Sequence, residues 1–87
     1  MTRSRCPVDG ALIPQVARVS VGSEVVKLSG CVWCQELFAF LANSGRDAAG
    51  FAKDGGGGWK VFRAFGSVAD VRLAETAVAQ VNLDTLT

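Results

Sequence analysis

Apolar and polar positions alternate from Val16 to Val21 and again from Glu24 to Leu28, with Gly22-Ser23 between the two runs. Ala17, Val19 and Val21 fall on one face of an extended chain, with Arg18 and Ser20 on the other. Glycine at the first turn position suits a two-residue type II′ connection, so the stretch predicts a β-hairpin. From Gln35 to Asn43 the pattern changes. Trp33, Leu37, Phe38, Phe40 and Leu41 fit helical spacing and Gly45 supplies a stop, which predicts a short helix directly after Cys34. Asp47 to Lys53 reads as a turn of helix, and Gly55-Gly56-Gly57-Gly58 as a flexible loop tip. Trp59 to Phe65 alternates loosely and is expected to be a third strand. Ser67 is a good N-cap with Asp70 three residues on, a relative of the Ser-x-x-Glu capping box. Val68, Val71, Ala74, Val78 and Val81, flanked by Leu73 and Ala77, then form the stripe of a C-terminal helix.

These elements amount to an α+β fold in one domain, residues 1–87: a hairpin-plus-helix part over 6–44, a Gly-rich loop over 45–58, and a strand and helix over 59–87. A chain of 87 residues buries only about 60–65% of its unfolded surface, so a staple is expected beside the core. No apolar run is long enough for a membrane span, and the first residues do not lead into a secretory signal. Cytoplasmic residence and no membrane partner are the expectation. Nine Lys and Arg against eight Asp and Glu leave a formal charge of +1. A near-neutral chain lacks the broad basic field of a nucleic-acid-binding domain, so any such role rests on a local patch. There is no histidine. That removes the Cys–His and Ser–His nucleophile pairs, and the chain is expected not to be an enzyme.

Three cysteines make an odd set, which fits a closed disulfide framework badly. Their spacing is Cys6-x2-Asp9 followed by Cys31-x2-Cys34, two chelating pairs on either side of the predicted hairpin. Zinc takes four ligands in a tetrahedron and favours thiolates, and a carboxylate is an acceptable fourth donor. Asp9 serves either as that donor or as an ordinary turn residue of Pro7-Val8-Asp9-Gly10. The cysteines themselves have two other readings. They are small buried hydrophobes, or Cys31 and Cys34 form a redox dithiol or part of an iron–sulfur site.

Cys6-Pro7-Val8-Asp9-Gly10 resembles the zinc knuckle Cys-Pro-x-Cys-Gly with aspartate at the second cysteine. A knuckle, a hairpin and a second Cys-x-x-Cys opening a helix resemble the treble-clef zinc fingers, whereas zinc ribbons place the second knuckle in another hairpin. The resemblance covers residues 6–44. It implies a structural zinc ion on Cys6, Asp9, Cys31 and Cys34, and it implies little about function, because the class binds nucleic acids, proteins or nothing known.

With these pieces the expected activity is that of a zinc-binding interaction module with a protein partner. Its size and composition suit a phage or mobile-element regulator of host machinery. The rivals are a nucleic-acid-binding zinc finger and a thiol redox protein using Cys31 and Cys34. The nucleic-acid reading requires Arg18, Lys60 and Arg63 to share a face, beside the aromatic residues Trp59, Phe62 and Phe65. No phosphate loop is present, because Gly55 to Gly58 followed by Trp59-Lys60 lacks the Gly-x4-Gly-Lys pattern.

Overall fold

The computed structural model describes residues 3–81. Six strands follow one another as an antiparallel meander: β1 (Arg3–Arg5), β2 (Leu12–Val21), β3 (Glu24–Cys31), β4 (Glu36–Leu41), β5 (Arg46–Lys53) and β6 (Trp59–Ala64). One helix, α1 (Val68–Gln80), closes the described chain. Strands β2 to β6 make the main five-stranded sheet, and β1 pairs only with the start of β2, Arg3 opposite Pro14 and Arg5 opposite Leu12. A bulge between Gln15 and Ala17 lets β2 pass from β1 to β3.

The expected α+β fold of a hairpin and short helix is therefore corrected to a mainly antiparallel sheet with one helix. The stretch after Cys34 is strand β4, in the middle of the sheet. Its apolar run is covered on both faces, Leu37, Ala39 and Leu41 against the helix side and Phe38 on the other, all buried. A short run apolar on both faces has the same residue types whether it is a buried strand or a buried helix, and periodicity does not separate them. Gly45 has the positive φ (+67°) expected of it, but ends a four-residue hairpin loop rather than a helix. Arg46 to Lys53 is strand β5 and not a turn of helix, leaving residues 54–58 as the glycine loop. That loop has internal order: Asp54 accepts hydrogen bonds from the amides of Gly56 and Gly58 at 2.8 and 3.0 Å. Two of the loop's amides are thus taken by its own carboxylate.

The main core lies between the sheet and α1. Val19, Val26, Leu28, Leu37, Leu41 and Phe51 pack with Ala74, Ala77 and Val78 of the helix. Small Ala side chains let the helix approach the sheet closely. Ser67 caps α1 through the Asp70 amide, and Asp70 returns a carboxylate to the Ser67 amide, completing the capping box. Asp70 also takes a two-pronged ion pair from Arg46, at 2.9 and 3.0 Å, which ties the helix start to β5. Val68 departs from the expected stripe and lies 70% exposed.

Candidate metal centre

Each half of the centre is a five-residue turn closed in the same way. Gly10 donates its amide to the Cys6 carbonyl at 2.8 Å, and Gln35 donates to the Cys31 carbonyl at 2.9 Å. The closing residue has positive φ in both, +77° at Gly10 and +59° at Gln35. Glycine takes that conformation freely, whereas Gln35 is the one non-glycine among the described residues to adopt it. The first turn joins β1 to β2 and the second joins β3 to β4. Both turns are thus hairpin loops, and the treble-clef arrangement, which needs a helix after Cys34, is absent.

The four donors expected from the sequence meet. One ligand atom from each of Cys6, Asp9, Cys31 and Cys34 lies within 4.8 Å of all the others. Cys6 Sγ and Cys34 Sγ are 3.6 Å apart, and Cys31 Sγ is 3.7 Å from Asp9 Oδ2. Donors at zinc–ligand lengths of about 2.3 Å for sulfur and about 2.0 Å for oxygen span tetrahedral edges of about 3.8 and about 3.5 Å. Both measured separations fall at that scale. A disulfide needs sulfurs at about 2.05 Å, and all three cysteines are free. A cluster of several irons would hold its cysteines around a wider core, so the box suits a single ion.

Asp9 is held in place by its own turn. Its Oδ1 accepts the Ala11 amide at 2.9 Å, which leaves Oδ2 turned to Cys31. That amide, followed by the Cys6 thiol, holds the Asp9 carboxyl below the usual carboxylate range, so it is charged and ready to ligate. Burial pushes the Cys34 thiol up to about 12, with the neighbouring Cys31 and Cys6 adding to the effect. Burial raises the Cys6 thiol too, while the amides of Asp9 and Val8 pull it the other way. Crowded, buried thiols resist ionisation unless a cation shares the site, which is the condition a divalent metal meets. Cys6 and Cys31 are buried over a small apolar cluster with Ile13 and Phe38, separate from the main core. Arg5 lies over the first turn, its Nη1 donating to the Gly10 carbonyl at 3.0 Å.

The two turns also present apolar side chains outward. Val8 in the first and Val32 and Trp33 in the second are 45%, 46% and 78% exposed, with Leu12 nearby in sequence at 55%. Trp33, expected at helical spacing with Leu37, Phe38, Phe40 and Leu41, lies instead in the second turn.

The residues named for the nucleic-acid reading divide. Trp59 and Val61 turn to the main core. Arg18, Lys60 and Arg63 lie on the opposite, helix-free face: Arg18 alternates with core-facing Ala17 and Val19, and Arg63 and Lys60 pair with Gly50 and Ala52 beside core-facing Phe51. Lys27 and Phe40, adjacent across β3 and β4, join the same face. Sequence reasoning missed these two. The alternation Val26-Lys27-Leu28 signalled the direction of Lys27, but the neighbourhood with Phe40 required strand register.

No family model, curated protein or solved structure matches the chain. The site and fold define it as a small antiparallel β-domain with a four-donor cluster able to hold a metal ion. Among the described residues no helix is long and apolar enough to cross a membrane.

Proposed function

We propose that this protein is a non-catalytic, zinc-stapled binding module, and that a partner protein docks on the exposed tips of its two knuckles. The observation that carries the staple is the 3.6 Å Cys6–Cys34 separation within a box of three thiols and one carboxylate. With two knuckles on two hairpins, the arrangement has the layout of a zinc ribbon. Four protein donors saturate a tetrahedral ion and leave no open position for a substrate or a reactive water, which supports a structural role. The docking role rests on Trp33, 78% exposed beside Val32 and next in sequence to the candidate ligand Cys34. Tryptophan is enriched among the anchors of protein interfaces.

Metal content by plasma-ionisation mass spectrometry, on protein purified without chelator, tests the staple. One zinc per chain is expected in the wild type and a weakened or lost ion in Asp9→Ala. A well-folded wild type without metal overturns the reading, and full retention in the variant returns Asp9 to the role of a turn residue.

A further inference from the structure

The helix-free face of the sheet carries a charge pattern that the staple does not use. Arg18 stands directly opposite Lys27 across β2 and β3, and Lys27 directly opposite Phe40 across β3 and β4. Like charges placed directly opposite destabilise a sheet. Neither Arg18 nor Lys27 has an ion-pair partner among the described residues. On the far strand of the same face, Lys60 and Arg63 project from β6. Arg63 donates to both oxygens of buried Glu36 at 3.1 and 3.3 Å, so that acid is spent internally. With Arg18, Lys27, Lys60 and Arg63 set against Glu36, Asp47 and Asp54, whose carboxylate feels the charge of Lys60, the face has an excess of one positive charge.

Aromatic rings accompany the charges. Phe65 is 42% exposed and packs against Phe38 with ring centres 6.3 Å apart. Phe62 is 58% exposed, with the Arg63 guanidinium 5.1 Å from its ring centre. The bulge between Gly50 and Phe51 gives β6 one extra residue here, which brings Phe62 beside Arg63 at the edge of the face. Exposed rings, one with a guanidinium against it, on a sheet face that also carries lysines suit unpaired bases, which stack on rings while their phosphates meet the cations. A protein partner would find fewer uses for an uncompensated pair of like charges.

We infer that this face binds single-stranded nucleic acid, with Arg18, Lys27 and Lys60 contacting phosphates and Phe62 and Phe65 stacking bases. The surface is distinct from the Trp33 knuckle tips and does not require them. Duplex is disfavoured because its bases are already stacked on one another and offer the rings nothing.

Fluorescence anisotropy of labelled single-stranded 12-mers of thymidine and of uridine, and of a 12-base-pair duplex, tests this with zinc-loaded full chain. The single strands are expected to bind more tightly than the duplex. Three phosphate contacts give a log–log salt slope of about −2, so raising salt from 50 to 200 mM weakens binding about twentyfold. The double variant Arg18→Glu, Lys27→Glu is expected to bind more than tenfold more weakly and with a shallower slope. Phe62→Ala weakens binding with the slope unchanged, which an electrostatic role alone would not produce. Arg72→Glu, on the exposed side of α1, changes nothing. Circular dichroism and zinc content measured on each variant separate loss of binding from loss of fold. No binding at about 100 µM protein overturns the inference, as does tighter binding to duplex or an equal loss in Arg72→Glu. Oligonucleotide binding by a chain that carries no zinc would sink the staple and leave this face standing. A zinc-loaded chain that ignores oligonucleotides would do the opposite.

Discussion

The sheet–helix core and the knuckle end of this domain solve one problem by different means. In the core, Val26, Leu28, Leu37, Leu41 and Phe51 are almost fully buried between β-sheet and α1. At the knuckle end the buried cluster among the described residues is small: Ile13 and Phe38 with Cys6 and Cys31, and Cys34 packed against them. The first region is held by area removed from water and is indifferent to ions. The second has little apolar material among the described residues and instead gathers four donors able to hold one ion, which under the proposed reading would supply the constraint. A metal held by the four donors would take the place of hydrophobic contacts that this end of a small domain lacks.

The largest effect expected from this division is in the core. Phe51→Ala removes a 1% exposed ring and should cost about 3–5 kcal/mol in urea denaturation. That cost should be the same in zinc and in chelator. If it shrinks in chelator, the core depends on the knuckles and the two regions are one unit.

Metal removal comes next. Free zinc one hundredfold above its dissociation constant stabilises by about 2.7 kcal/mol, and a chelator should remove that amount from the wild type. Cys31→Ser should begin near the chelated value and respond little to chelator. Amide exchange sharpens the contrast: Gly10 and Gln35, whose amides close the two turns, should lose protection on chelation. Amides of β4 and α1 should keep theirs. Uniform loss of protection would erase the distinction.

How much of this was legible in the sequence follows the same line. Features set by local chemistry were readable: Gly22 at the hairpin turn has φ +61°, and Ser67 and Asp70 form both arms of their box. The grouping of Cys6, Asp9, Cys31 and Cys34 was readable from spacing, because two x2-spaced pairs can face one another whatever elements carry them. Glu36 to Leu41 was not, since a run apolar on both sides is compatible with helix and strand until its neighbours are known. That single ambiguity carried the rest. It turned the second knuckle into a helix start and set Trp33 at helical spacing with residues that belong to β4. The helix-free face was half readable, through the alternation at Arg18; the opposition of Arg18 and Lys27 and the adjacency of Phe40 exist only once strands are paired.

The smallest effect expected lies at the helix start and separates the two regions by pH. Ser67→Ala removes the hydroxyl that accepts the Asp70 amide and should cost about 1 kcal/mol. Asp70 is the acid-sensitive member of the box. Arg46, through its hydrogen bonds and charge, holds the Asp70 carboxyl below the usual carboxylate range. Its folded pKa therefore lies below its unfolded value of about 3.9. The stability it adds is complete above that unfolded value and is lost as pH falls through the folded one. The knuckle end also weakens in acid, because its thiolates must compete with protons for the metal. Comparing the wild type with Asp70→Asn at matched pH removes that contribution, since both chains carry the same knuckles. The wild type should be the more stable near neutrality, and the gap should close as the pH drops below about 4. A gap that stays constant into acid would mean that the ion pair between Arg46 and Asp70 adds nothing through charge, leaving the helix start held by its cap and by apolar packing alone.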